Sequence, residues 1–147
     1  MKSDLLLTGE DVYVHDDSVI TRGHLCELGN HVAIDKGFYC TTKLKVKDYV
    51  HIGPYVVLIG GEKSCVVFED FSFAATGTKV IAGSEDYGAD HLMGPLIPIE
   101  FRTLNLTTVT FKRFSGCGAN CVIMPGVTLA EGSLVTAGSV LTKDTMP

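Results

Sequence analysis

At 147 residues the chain has the length of one domain with a continuous core, and a second domain is not required. Its formal net charge of -5 excludes a general binder of nucleic acid, which needs clustered Lys and Arg to neutralise many phosphates. Hydrophobic residues make up 46% but are dispersed among Gly, Thr, Ser and charges, and no apolar run nears the roughly 20 residues that cross a bilayer.

The opening MKSDLLLTGED has a three-leucine run quickly followed by acids, too short for the apolar segment of a signal peptide, so no membrane partner and a cytoplasmic location are expected. The five cysteines (Cys26, Cys40, Cys65, Cys117, Cys121) form an odd set without a CxxC pair, which argues against a disulfide framework and a thiolate zinc site. Cys117 and Cys121 fall where other repeats carry small or apolar residues, which predicts buried packing rather than a nucleophile.

From Leu28 the chain reads in blocks of six: LGNHVA and IDKGFY, then VKDYVH, IGPYVV and LIGG from Val46, then FEDFSF, AATGTK and VIAGS from Phe68. Between Glu85 and roughly Thr108 the period disappears, leaving EDYGADHLMGPLIPIEFRTLNLTT as an insertion; long loops leaving a rigid scaffold commonly carry function. The period returns at Phe111 as FKRFSG, CGANCV, IMPGVT, LAEGSL, VTAGSV and LTKD, opened by Phe111, Cys117, Ile123, Leu129, Val135 and Leu141.

Residues of equal parity share a face of an extended segment, so the opener and the fifth residue of each block both point inward. Three blocks close one triangular coil, and stacking about six coils buries a core that no single coil can bury. Gly and Asn recur where the backbone must turn sharply, at Gly29, Asn30, Gly37, Gly77, Gly83, Gly126, Gly132 and Gly138, and positive φ is expected there. An ordinary β-sandwich would not hold a six-residue phase over about thirty residues. The expected fold is all-β: a parallel β-helix of hexapeptide repeats, one domain over residues 1–147, with one long inserted loop at about 85–108.

The segment GANCVIMPGVTLAEGSLVTAGSVLTKD closely resembles the C-terminal coils of the hexapeptide-repeat acyltransferases. HIGPYVVLIGG from His51, EDYGADHLMGPLIP from Glu85 and the following Glu100 and Phe101 are similar to the subgroup that N-acylates nucleotide-linked 4-amino-4,6-dideoxy sugars of the viosamine type. The resemblance covers the chain from about Leu28 onward. It implies a left-handed helix, a homotrimer with active sites between subunits, acetyl-CoA as co-substrate, a nucleotide-linked amino sugar as acceptor, and no metal. Relatives of this kind continue into a C-terminal helix and a lysine segment that helps hold coenzyme A. This chain ends at Met146 and Pro147, so a domain cut from a longer protein with incomplete coenzyme contacts is one expectation.

Acyl transfer needs an unprotonated nucleophile, an electrophile within reach, and donors for the developing oxyanion. Gly116, Gly118, Ala119, Ala137 and Gly138 are small enough to let a pantetheine arm approach the backbone. The resemblance places the acidic pair Glu85 and Asp86 beside the sugar, where either carboxylate can orient the amine. His51 falls in the matching motif as a base or hydrogen-bond donor, and His91 in the insertion has the place of an O-acetyltransferase base.

A sugar amine needs no strong base, whereas a hydroxyl makes a histidine close to obligatory. That contrast separates the N-acetyltransferase reading from a sugar O-acetyltransferase. A zinc hydratase would need histidines at coil spacing, and the 20 residues from His31 to His51 are two more than a three-block coil. A non-catalytic trimeric β-helix subunit is the remaining alternative, disfavoured by the irregular acidic insertion.

Overall fold

The computed structural model describes residues 4–147. The chain winds into a three-sided parallel β-helix whose faces are three six-stranded sheets. Face A stacks Leu7–Thr8, Cys26–Leu28, Lys43–Val46, Cys65–Phe68, Thr108–Phe111 and Thr128–Leu129. Face B stacks Val12–Val14, Val32–Ile34, Val50–Ile52, Phe73–Ala74, Gly116–Cys117 and Leu134–Val135. Face C stacks Val19–Ile20, Tyr39–Cys40, Val57–Ile59, Lys79–Ile81, Val122–Ile123 and Val140–Leu141. No helix among the described residues is long and apolar enough to cross a membrane.

The block openers stand in vertical files inside the helix. On face A the file runs Leu28, Val46, Phe68, Phe111, Leu129. On face B it runs Ile34, Ile52, Ala74, Cys117, Val135, and on face C Cys40, Leu58, Val80, Ile123, Leu141. All but Val135 and Leu141, both in the last coil, are buried. Phe68 and Phe111 lie fully buried with rings 4.4 Å apart at 20°, the widest side chains in their file. Cys117 and Cys121 are likewise fully buried.

The corners depart from the expectation of glycine and asparagine. Gly37, Gly77, Gly126, Gly132 and Gly138 have positive φ, but Gly29, Asn30 and Gly83 do not. Gly29 is small because a Cβ would lie 2.5 Å from Asp48 Oδ1 and 2.7 Å from the Lys47 carbonyl oxygen. Asn30 lends its side chain to a ladder: its Oδ1 accepts from Glu10 N, while Asp48 Oδ1 accepts from Asn30 N and Asp70 Oδ1 from Asp48 N.

The left-handed positions at the A–B corner are instead filled by Asp11, His31, Tyr49, Phe71 and Phe114, with φ between 52° and 61°. Their rings stack along the helix: His31 on Tyr49 at 4.6 Å, Tyr49 on Phe71 at 5.1 Å, and Phe71 on Phe114 at 5.1 Å. The Arg113 guanidinium closes the stack 5.2 Å from the Phe114 ring.

A bulky residue in this conformation costs about 1–2 kcal/mol, and each aromatic contact returns about 0.5–1.5 kcal/mol, so stacking roughly offsets the strain. Phe71→Ala removes two ring contacts but keeps the strain, and is expected to destabilise by about 1–3 kcal/mol. Phe71→Gly relieves the strain and should cost less than the alanine variant, reversing the usual order, as denaturant unfolding would read. In the core, Phe111→Ala is expected to cost about 3–5 kcal/mol by the same measurement, because its cavity is lined by a stacked ring that cannot collapse into it.

Candidate active site

Faces repeat with a step of 18 residues between several neighbouring coils, as in Cys26 beside Leu44 and Thr110 beside Thr128. Where the step is longer, the extra residues leave the helix at the C–A corner. A short 3-10 turn at Gly23–Leu25 is the first excursion, the segment around Gly60–Lys63 the second, and the long insertion the third. Stacked at one corner, they border an open hollow of about 830 Å³ lined by Arg22, Gly60, Gly61, Lys63, Glu85 and Arg102, with Ile59, Leu104 and Leu106 as apolar wall. Arg22 is held there by donating from Nη1 to the Thr41 carbonyl oxygen at 2.7 Å.

The insertion is ordered at its base by an antiparallel ribbon pairing Gly83–Glu85 with Leu104–Leu106. Glu85 clamps it: Oε1 accepts from Gly94 N at 3.0 Å, from Arg102 Nε at 3.0 Å and from Arg102 Nη2. The hydrogen bonds from Arg102, then from Gly94, hold the Glu85 carboxyl below its usual range. Oε2 of the same carboxylate is buried without a hydrogen-bond partner among the described residues. Asp86 is exposed, and its Oδ1 accepts from Gly88 N at 3.0 Å. His91, also exposed, borders a hollow of about 390 Å³ with Asp90, Leu92, Glu100 and Phe101.

His51 lies elsewhere, on the outer surface of face B, with Nε2 2.7 Å from Asp35 Oδ2. The small residues expected to admit a pantetheine arm divide. Gly116 lies beneath Phe73, whose ring would be 2.2 Å from an added Cβ, so this glycine admits a phenyl ring of its own chain. Gly118 packs against the next coil, where a Cβ would stand 2.7 Å from Ala137 N. Ala137 and Gly138 are exposed at the B–C corner beside Ala119, whose carbonyl oxygen accepts from Gly138 N at 2.8 Å.

One chain therefore gathers Glu85, Asp86 and His91 on the C–A insertion and Ala119, Ala137 and Gly138 at the B–C corner. His51 stays on face B. Burial pushes the Cys117 thiol up to about 11, which removes it as a nucleophile at neutral pH. Among the described residues no cluster of three or more His, Cys, Asp or Glu is placed to hold a metal ion. Sequence reading missed Arg102, the one positive charge in the acidic insertion, and Asp35, which lies 16 residues before His51 and so falls one coil away.

No protein-family model matches the chain. Its backbone matches AntD, an N-acyltransferase from Bacillus cereus in complex with dTDP and 3-hydroxybutyryl-CoA, with a TM-score of 0.91 and 30% identity over 97% of this chain and 76% of AntD. The chain belongs to the AntD family of N-acyltransferases. A variant of AntD in complex with dTDP-4-amino-4,6-dideoxyglucose and coenzyme A matches with a TM-score of 0.93 and 30% identity over 99% of this chain and 77% of that one. The dTDP-4-amino-4,6-dideoxy-D-glucose acyltransferase of Escherichia coli is 26% identical over 141 residues, 92% of this chain and 71% of the relative. A hexapeptide-repeat acetyltransferase from Vibrio cholerae, VCA0836, shares the fold with a TM-score of 0.64 at 18% identity.

Replacing Arg102 by Gln should loosen the insertion without unfolding the helix, because the ribbon loses the cation that anchors Glu85. Hydrogen exchange should rise over residues 86–103 and stay slow in the buried files. Acid should act in the same direction. A carboxyl held below its usual range contributes stability above its unfolded value, and that contribution is lost as pH falls through the lower folded value. Exchange in the native insertion is therefore expected to quicken only below the ordinary glutamate range.

Proposed function

We propose that the chain moves an acyl group from an acyl-CoA thioester to the 4-amino group of a nucleotide-linked 4-amino-4,6-dideoxy sugar. The observation that carries this reading is the match over nearly the whole chain to AntD bound to that sugar nucleotide and coenzyme A. The separation of the site residues supports a homotrimer whose clefts lie between subunits, so that one copy's insertion faces another copy's coils. In such a cleft the exposed corner at Ala137 and Gly138, beside half-buried Ala119, is small enough to admit the pantetheine arm, with Gly118 packed behind it.

The acceptor enters as an ammonium ion and must lose a proton before its lone pair can attack the thioester carbonyl. Asp86, exposed to solvent, is the carboxylate placed to hold that ammonium, and the neighbouring Glu85 keeps its Oε2 buried and without a partner among the described residues. His51 and His91 are the groups able to take its proton. The five free cysteines and the demand for acyl-CoA support a reducing, cytoplasmic setting.

A second reading, transfer to a sugar hydroxyl, has specific support. An Escherichia coli K12 protein named as a lipopolysaccharide biosynthesis O-acetyl transferase, WbbJ, is 25% identical over 88% of this chain and 65% of its own length. The Asp35–His51 contact also supplies the kind of base a hydroxyl requires.

Thiol release from acetyl-CoA separates the two. Release with dTDP-4-amino-4,6-dideoxyglucose but not with the 4-hydroxyl sugar is the expected result, and the opposite selectivity overturns the amine reading. Coenzyme A alone is expected to raise the melting temperature, as a ligand that binds only the folded state does.

A further inference from the structure

Each of the three excursions at the C–A corner brings one cation to the same hollow. Arg22 precedes the Gly23–Leu25 turn, Lys63 lies in the second excursion, and Arg102 comes from the insertion. The chain as a whole carries a net charge of -5, so its composition alone would not gather positive charge here. The carboxylates of the lining are Glu62 and Glu85, and Glu85 is already engaged by Arg102 and Gly94 N. Three cations against two carboxylates leave the hollow with a surplus of positive charge.

The scaffold holds these groups in place. Thr41 ties two excursions together: its carbonyl oxygen accepts from Arg22 Nη1 at 2.7 Å, and its hydroxyl accepts from Gly60 N at 3.1 Å. The turn that carries Lys63 is pinned by buried Ser64, whose Oγ accepts from Gly61 N at 2.7 Å. Arg102 is fixed by the Glu85 clamp. Each cation still has unused donors, since among the described residues Nε and Nη2 of Arg22, Nη1 of Arg102 and Nζ of Lys63 meet no acceptor. Beside them stand the apolar Ile59, Leu104 and Leu106, and Gly61 adds no bulk, because a Cβ there would meet nothing within 4 Å.

A volume of about 830 Å³ falls among those of small-molecule sites, roughly 300–1,000 Å³. Two guanidinium groups and an ammonium around one concavity suit phosphate oxygens, which accept several charge-assisted hydrogen bonds at once. The apolar wall next to them suits a nucleoside. We infer that the C–A hollow binds the nucleoside diphosphate of the acceptor, with Arg22, Lys63 and Arg102 on the phosphates and the apolar wall against the nucleoside. This rests on the proposed nucleotide-linked acceptor. Glu85 lines the hollow and Asp86 follows it in the chain, so the sugar extends from the hollow toward the carboxylate proposed to hold its amine. The corner proposed to admit the pantetheine arm is B–C, which leaves the hollow to the acceptor.

Calorimetric titration of dTDP into the full chain reads the site without turnover. Arg22→Gln and Lys63→Gln are each expected to weaken dTDP about tenfold, the loss of a hydrogen bond between charged groups. Gly61→Leu puts a side chain into open space and should weaken dTDP with every cation still present. Lys112→Gln removes an exposed cation at the A–B corner and should leave the affinity unchanged. Lys63 is exposed and Gly61 has room for a side chain, so both variants are expected to melt, without ligand, close to the native temperature. Native affinity for dTDP in Lys63→Gln and Gly61→Leu overturns the assignment, whichever group accepts the acyl chain.

In turnover, Lys63→Gln should raise KM for dTDP-4-amino-4,6-dideoxyglucose about tenfold and leave KM for acetyl-CoA unchanged; the reverse pattern gives the hollow to the coenzyme and overturns the assignment. A native chain that binds no dTDP refutes the proposed acceptor instead. The same titrations with inorganic pyrophosphate then judge the hollow: binding that Lys63→Gln weakens upholds a diphosphate site, and no binding removes it.

Discussion

Every feature of this molecule depends on side chains of one coil resting on those of the next. A single triangular turn exposes both rims of its apolar centre, and the files of openers become a core only through stacking. The file Leu28, Val46, Phe68, Phe111, Leu129 shows the constraint most plainly. It passes unbroken across the long insertion, since Phe68 and Phe111 stay paired although the chain between them leaves the helix and returns. The scaffold is thus indifferent to what leaves at its corners, provided that the chain comes back in register.

That indifference is used at one corner only. The A–B corner is tied by stacked rings and by the Asn30, Asp48 and Asp70 side chains, and the B–C corner is held to tight turns. At the C–A corner three departures of growing length lie one above another, and their stacking makes a cavity that none would make alone. The insertion there is held by a half-buried ion pair rather than by a core of its own. Pairing Glu85 with Arg102 and with Gly94 N specifies one arrangement of the loop, its partial desolvation offset by three hydrogen bonds to one carboxylate oxygen.

The six-residue phase made the core legible, because inward positions on a β-helix are fixed by parity and stacking alone. Phe111, Cys117, Ile123 and Leu129 could be assigned from their spacing, and they are buried. Corners were less legible. Glycine and asparagine are the usual signals of positive φ, whereas Tyr49, Phe71 and Phe114 hold it while stacked on rings of the neighbouring coil. Gly116 had the opposite fault: its smallness serves Phe73, a partner that only the stacked register reveals. The acids of the insertion stood out as a break in period, but the pairing of Glu85 with Arg102 depends on how the loop folds back.

The unequal steps between coils also set how the chain can assemble. Most neighbouring coils meet through residues 18 to 22 positions apart, close enough for each turn to zip onto the last. Between Phe68 and Phe111 the chain must close a loop more than twice the 18-residue step, which adds roughly 0.8 kcal/mol of closure entropy. The ribbon from Gly83 to Leu106 can form first and shorten the span still to be closed. The insertion is therefore also the junction at which the zipper pauses, dividing the helix into a block before it and a block after it.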